Sequence, residues 1–196
     1  MAEAEEDLAR KLLQAFELLN SNSEVYRLVP EVRMNLVYAL PGARSVEEVA
    51  GFPGRITFDG EGLAFVKPPR LGASRHVARA VLTAMKYDGS MRSALNLRYD
   101  EGLIRRAQEA GFKVSSYDRS KEPEEVRTVE GRSTSWGVEE AIRSAGCVPD
   151  LIYHLGCVGK EPMILLLGRD PIDVVEKLFK LIGRGRRGGA LGRARR

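Results

Sequence analysis

From residue 94 onward, apolar segments typical of strands alternate with amphipathic segments typical of helices. The pattern predicts strands at 94–99, 112–117, 151–155 and 162–167, and helices at 100–110, 135–145 and 171–181. Strands and helices that alternate in this way bury their apolar faces by packing the helices on a sheet. We therefore predict an α/β fold with a mixed sheet covered by helices, whose connecting loops carry the functional residues.

The first half of the chain adds an N-terminal helix and a hairpin. Residues 5–20 place leucines on one helical face and charged residues on the other, which predicts an amphipathic helix packed on the domain. A buried strand is predicted at 34–40, and the Asp-Gly turn at residue 59 predicts a hairpin of 54–58 with 63–66.

The composition is typical of one globular domain followed by a basic tail. A chain of 196 residues with 43% hydrophobic content can bury one core, and no repeat or long linker divides it. Its net charge of +4 depends on six arginines in residues 184–196, without which 25 basic residues face 27 acidic ones. We predict a single domain at 1–183 and a disordered Arg/Gly-rich tail at 184–196. Because the tail has no aromatic or helical support, we expect no specific nucleic-acid binding.

The sequence also argues against membrane proteins and disulfide scaffolds. No apolar run approaches the roughly 20 residues that span a bilayer, and the N-terminus begins with acidic residues rather than a signal peptide. Cys147 and Cys157 lack the spacing of a disulfide framework or a thiolate metal site. We therefore expect a cytoplasmic protein without a membrane partner.

An eight-residue segment that begins at Gly72, Gly-Ala-Ser-Arg-His-Val-Ala-Arg, predicts an anion site at the start of a helix. Gly72 supplies a turn, Ser74 is a good N-cap for a helix over 74–87, and Arg75 and His76 fall in its first turn. Free N–H groups at a helix start attract phosphate, and arginine adds a planar fork of donors. The alternative is an ordinary surface helix without a ligand.

Other polar residues lie where predicted strands and helices end; they are Asn35, Arg55, Asn96, Arg98, Asp118, Arg119 and Lys160. Asn96 and Arg98 point to one face of their strand, which either binds a ligand or belongs to a solvent-facing edge strand. Lys160 either contacts a phosphate or pairs with a surface acid. His154 lies within an apolar strand and is interpreted as a structural histidine.

A series of short motifs also recurs in the order found in a known family. The motifs are Pro30-Glu31-Val32-Arg33-Met34-Asn35-Leu36, Pro53-Gly54-Arg55-Ile56, Gly72-Ala73-Ser74-Arg75-His76-Val77-Ala78-Arg79, Asn96-Leu97-Arg98-Tyr99, Asp118-Arg119, Pro149-Asp150 and Gly159-Lys160-Glu161-Pro162. Together they resemble the ThiN family of thiamine-phosphate synthases, over about residues 28–180. One departure is the stretch His154-Leu155-Gly156-Cys157-Val158, which is less acidic than the resemblance leads us to expect.

The resemblance implies an enzyme that joins an aminopyrimidine pyrophosphate to a thiazole phosphate, which gives thiamine phosphate and releases pyrophosphate. It implies catalytic roles for Arg55, as a clamp on the pyrophosphate, and for His76, as a donor of a proton or hydrogen bond to it. The substrate contacts that we place by the same resemblance are Asn35, Gly72, Ser74, Arg75, Asn96, Arg98, Asp118, Arg119 and Lys160. Mg²⁺ is expected to bridge the pyrophosphate, although no carboxylate pair in the sequence marks a site for it.

The alternative within this family is a non-catalytic domain that senses thiamine phosphate. About thirty residues precede the first motif, too few for the helix-turn-helix that a transcriptional sensor would carry. Regulators of the family also tend to lose the arginine and histidine that this chain keeps as Arg55 and His76. We therefore expect the enzyme, with a pyrimidine kinase as a fused or separate partner and with the N-terminal helix available for a homodimer.

Overall fold

A computed structural model describes residues 2–129 and 131–183. Its strands are Leu36–Ala39 (β1), Val49–Gly51 (β2), Ile56–Phe58 (β3), Leu63–Phe65 (β4), Arg70–Leu71 (β5), Ser93–Arg98 (β6), Val114–Ser116 (β7), Leu151–His154 (β8) and Met163–Gly168 (β9). Its α-helices are Ala2–Asn20 (α1), His76–Met85 (α2), Glu101–Glu109 (α3), Glu124–Arg127 (α4), Arg132–Ala145 (α5) and Pro171–Ile182 (α6). Short 3-10 helices occur at Ser23–Leu28, Val46–Glu48 and Arg119–Lys121.

Seven of the strands form one mixed sheet in the order β5-β2-β1-β6-β9-β8-β7. Every neighbouring pair is antiparallel except β7 with β8, which is parallel. Strands β3 and β4 form a separate antiparallel hairpin, with Phe58 opposite Leu63 across the turn. The predicted mixed sheet and the predicted hairpin are both confirmed.

Helices cover both faces of the sheet. On one face, α1, α3 and α6 pack in a cluster that includes Leu12, Leu95 and Leu178, all without solvent exposure. On the other face, α2 and α5 contact each other and bury Val81 and Ala141. Burial of each such large side chain favours the folded state by about 1.5–3 kcal/mol. The predicted amphipathic helix is therefore confirmed as a core element.

The main departures from prediction lie in the shortest elements. Strands β2 and β5 have three and two residues, too few for a periodicity to show, and neither was predicted. Of the two alternatives for β6, the solvent-facing edge strand is wrong, because β6 pairs with β1 on one side and with β9 on the other. The predicted tail at 184–196 lies outside the described residues, so the division of the chain into domain and tail stays a prediction.

The start of α2 also differs from the prediction. The N-cap is Arg75, whose backbone is already helical (φ −96°, ψ −45°), and no side chain caps the helix there. Ser74 does not cap it, because this residue is buried against β2, where a Cβ built on Gly51 would lie 3.2 Å from the Ser74 Cβ. The first N–H groups of α2 therefore have no side-chain acceptor at the N-cap position.

Within the part of the chain that the structure describes, no helix has the length and apolar character to cross a membrane.

Candidate active site

A cavity of about 630 Å³ opens at the edge of the sheet where β6 and β8 end and β1 and β9 begin. Loops that precede β1, β3, α2, α5 and β9 converge there. The lining residues are Val32, Arg33, Asn35, Arg55, Gly72, Ala73, Ser74, Arg75, His76, Val77, Arg79, Asn96, Arg119, Gly131, His154, Gly159, Lys160, Glu161 and Met163. A volume of this size is ample for two small substrates side by side.

The charge of the cavity lining is strongly positive. Six cationic side chains line it, namely Arg33, Arg55, Arg75, Arg79, Arg119 and Lys160. The one carboxylate among the described lining residues, Glu161, accepts hydrogen bonds from the backbone N–H groups of Glu31 (2.9 Å) and Val32 (3.3 Å). Cations clustered in a concave site attract a multivalent anion much more strongly than a single charge would. The positive lining therefore suits a multivalent anion.

Arg55 and Arg33 are held by an unusual backbone. Their φ angles are 70° and 69°, and they are the non-glycine residues with positive φ within the described chain. Arg33 Nη1 donates to the carbonyl of Gly54 at 3.3 Å, and Arg55 Nη1 donates to the carbonyl of Val32. These reciprocal bonds join the loop before β1 to the loop before β3. Strained backbone of this kind persists where the surroundings impose it, and it is common at functional sites.

His76, the first residue of α2, faces the cavity with a neutral ring. The side chain is exposed to solvent on the cavity side, and protein atoms surround the rest of the ring. The loss of solvent around the ring lowers the pKa of His76 from 6.5 to about 4, because it disfavours the charged form. The positive charges of Arg119, Arg55, Arg79 and Lys160 lower this pKa further. Thr134 Oγ1, from α5, lies 2.9 Å from His76 Nδ1 and orients the ring.

His154 lines the same cavity, although we interpreted it as a structural histidine. Its pKa is also lowered, from 6.5 to about 4, by burial and by the positive charge of Arg119, with a contribution from His76. The ring is 7% exposed, and its Nδ1 accepts the N–H of Gly156 at 3.1 Å. The available signal was its position at the end of a predicted strand, directly before the glycine loop that carries Lys160.

We expect the protein to lose stability as the pH falls from 6.5 to 4.5. A histidine whose pKa is lower in the folded state stabilises the fold fully above its unfolded pKa, and this stabilisation is lost as the pH falls toward the folded pKa. For His154, a pKa of about 4 corresponds to a loss of about 2 to 3 kcal/mol over that range. Urea unfolding of wild type and His154→Gln at pH 7 and pH 4.5 measures this. An equal loss of unfolding free energy in both proteins would contradict the lowered pKa of His154 in the folded state.

The structure brings most of the sequence-predicted site residues together. Asn35, Arg55, Gly72, Ser74, Arg75, His76, Asn96, Arg119 and Lys160 all line the cavity. Arg98 is exposed and Asp118 caps a 3-10 helix through its bonds to Ser120, and neither lines the cavity. Their roles as substrate contacts stay predictions that this geometry does not support.

The two asparagines are bonded within the protein. Asn35 donates to and accepts from the backbone of Phe52 at 3.1 and 3.0 Å. Asn96 accepts the N–H of Asn35 at 2.7 Å and donates to the carbonyl of Arg33 at 3.0 Å. The buried amide of Asn96 therefore has protein partners. It does not need the bound ligand that one of the two alternatives from the sequence would supply. Both asparagines fix the loop that carries Arg33.

Several lining residues escaped the sequence analysis. Arg33 and Arg79 lie inside the recognised motifs but were not singled out, and Thr134 had no signal of its own. Gly131, at the start of α5 (φ 83°), packs against Arg79, because a Cβ at this position would overlap the guanidinium. Glycine here leaves space for Arg79 to lie in the cavity wall.

The geometry and the sequence agree with one family of proteins. A family model described as thiamine-phosphate synthase ThiN matches residues 11–180 of the chain. The chain belongs to the ThiN family.

Named relatives resemble this ThiN chain over most of its length. Thiamine-phosphate synthase ThiN of Methanothermobacter thermautotrophicus is 45% identical over 170 residues, which are 86% of this chain and 89% of that protein. Bifunctional thiamine biosynthesis protein ThiDN of Methanocaldococcus jannaschii is 40% identical over 174 residues, which are 88% of this chain but 40% of that longer protein.

A solved structure has the same fold. The crystal structure of the C-terminal domain of a phosphomethylpyrimidine kinase superposes on this ThiN chain with a TM-score of 0.82 and 48% sequence identity. The match covers 92% of this chain and 98% of the other. The ThiN fold thus occurs as a separate chain and as one domain of a longer protein.

Proposed function

We propose that this ThiN chain is a thiamine-phosphate synthase, which joins 4-amino-2-methyl-5-hydroxymethylpyrimidine pyrophosphate to hydroxyethylthiazole phosphate. A relative named for that activity, similar over 89% of its length, supports catalysis over the sensing alternative. The observation that carries the proposal is the convergence of Arg55, His76 and five further cationic side chains on one cavity. That lining suits two substrates which both carry phosphate.

In the proposed reaction, the thiazole ring nitrogen forms a bond to the methylene carbon of the pyrimidine. The bond from that carbon to the pyrophosphate oxygen breaks, and pyrophosphate leaves with the electron pair. Negative charge grows on the leaving oxygen and positive charge on the methylene carbon. Arg55 and its cationic neighbours stabilise the leaving anion, and the His76 N–H donates a hydrogen bond to it.

Mg²⁺ belongs to this proposal only as an ion carried by the pyrophosphate. No cluster of three or more His, Cys, Asp or Glu side chains suited to a metal occurs among the described residues. Glu161 is engaged by two backbone N–H groups. Mg²⁺ is commonly held by phosphate oxygens and water with few protein ligands, so phosphate oxygens would be its main ligands here.

Three further expectations remain part of the proposal. One solved relative is the C-terminal domain of a phosphomethylpyrimidine kinase, and another relative is a longer bifunctional protein; both support a pyrimidine kinase as a functional partner, fused or separate. A cytoplasmic location stays a prediction. A homodimer stays a prediction.

The test is formation of thiamine phosphate by the purified chain from the two substrates, with and without Mg²⁺. We expect a product that depends on both substrates and equals the pyrophosphate released. Tight binding of thiamine phosphate without any turnover would instead identify a sensing domain.

A further inference from the structure

The cationic cavity continues inward as a small apolar recess. Five residues line both spaces, namely His76, Val77, Asn96, His154 and Met163, so the recess is the inner end of the cavity. The remaining walls are mainly core side chains, including Ala80, Val138 and Leu165. Its volume is about 30 Å³. That is enough for a methyl group or a water molecule and too small for an aromatic ring.

His154 supplies a hydrogen-bond donor at the mouth of this recess. The Gly156 N–H can only donate, so the His154 Nδ1 that it contacts at 3.1 Å is the acceptor nitrogen of a neutral ring. Nε2 therefore carries the proton. The side chain is 7% exposed, and Nε2 has no hydrogen bond to any described residue. Nε2 is not among the fully buried polar atoms that lack a hydrogen bond, so it is open to the cavity that His154 lines. A donor that is open to a cavity, on a side chain that is otherwise buried, is available to a ligand acceptor.

The chemistry of the proposed pyrimidine substrate matches this arrangement. In the ring, the methyl-bearing C2 lies directly opposite C5, which carries the pyrophosphate arm. If the pyrophosphate lies among the cations around His76, the methyl group on the far side of the ring points toward the recess. The ring nitrogens adjoin C2 on either side and accept hydrogen bonds. A mainly apolar recess beside the His154 N–H complements that edge of the ring.

Resting on the proposed function, we propose that His154 and the recess determine specificity for the pyrimidine. The recess takes the 2-methyl group, and His154 Nε2–H donates to a ring nitrogen next to it. The cations hold the pyrophosphate independently, at the outer end of the same molecule.

The test compares the pyrimidine substrate with inorganic pyrophosphate in the same variants. His154→Leu should raise the KM for the pyrimidine pyrophosphate about tenfold, since one hydrogen bond is lost and a ring nitrogen is left unpaired. The dissociation constant of inorganic pyrophosphate, measured by calorimetry, should stay within twofold. His154→Gln, which can place an amide N–H near the position of Nε2, should recover part of the loss. Parallel loss of both ligands would assign His154 to the phosphates and overturn the proposal.

A second variant tests the recess without changing His154. Wild type should favour the 2-methyl substrate over its 2-unsubstituted analogue by about tenfold or more in kcat/KM. Ala80→Val fills the recess from α2 and should abolish or reverse that preference, while the 2-unsubstituted analogue is still used. An unchanged preference in Ala80→Val would overturn the proposal.

Failure of the proposed function would be separable from failure of this inference. If wild type makes no thiamine phosphate, the function is wrong, and calorimetry with the two pyrimidines and pyrophosphate still decides whether the recess selects the methyl group. If wild type is active and the variants show none of these differences, the inference alone is wrong.

Discussion

Arg55→Ala is expected to lower kcat by about 10²- to 10³-fold, the usual cost of removing one donor from a stabilised leaving anion. Arg55 shares the cavity with other cations, but its backbone is held at φ 70° and its guanidinium is bonded to the Val32 carbonyl. A donor fixed in this way requires little reorganisation during the reaction. Steady-state synthase assays with both substrates measure the effect.

The positive φ of Arg55 provides an internal control. Arg55→Gly removes the same guanidinium but relieves the backbone strain, because glycine adopts this conformation freely. We expect Arg55→Gly to be as inactive as Arg55→Ala. We also expect its urea unfolding midpoint to be equal to or higher than that of Arg55→Ala. Arg143→Ala, which removes an exposed arginine paired with Glu140 on α5, should keep full activity. Activity in Arg55→Gly close to wild type would remove Arg55 from the mechanism.

Most of the fold could be predicted from the sequence because the buried face of each long element is visible in its own pattern of apolar residues. The leucine stripe of α1 and the apolar segments of β6 and β9 are recognised from residues that are close in sequence. Strands β2 and β5 have no such signal, since pairing with their neighbours, rather than local pattern, makes them strands. The N-cap of α2 was misplaced for a similar reason, because burial of Ser74 against β2 is a tertiary effect.

The site was predictable only where chemistry and local structure coincide. Arg75 and His76 stand at a helix start, and Lys160 lies in a glycine loop, so each has a local signal. Thr134 and His154 have none that is specific, because their roles arise when α5 and β8 pack beside α2. In contrast, Asn96 was recognised as a polar residue in a buried strand, but its partners, Asn35 and Arg33, lie about sixty positions earlier in the chain.

His76→Ala is expected to lower kcat by about 10²-fold or more, the range for loss of a positioned acid–base group. In the empty cavity the pKa of His76 is about 4, because burial and four surrounding cations disfavour the imidazolium. Pyrophosphate brings negative charge that offsets those cations, so the pKa of His76 should rise when the ligand binds. The ring can then take up a proton and return it to the leaving pyrophosphate.

That rise can be measured as protons taken up on binding. Calorimetric titration of pyrophosphate at pH 6, in two buffers with different ionisation enthalpies, should show a larger proton uptake for wild type than for His76→Ala, by up to one proton. The ligand's own protonation is present in both proteins, and loss of His76 removes a charge that lowers the pKa of His154, so a larger uptake by wild type is assigned to His76. Thr134→Val keeps the His76 imidazole but removes the Thr134 hydroxyl that lies 2.9 Å from Nδ1. This variant should take up as many protons as wild type but have a lower kcat. Equal uptake in wild type and His76→Ala, with kcat still lost in the variant, would mean that His76 acts as a neutral N–H donor and that the leaving pyrophosphate obtains no proton from it.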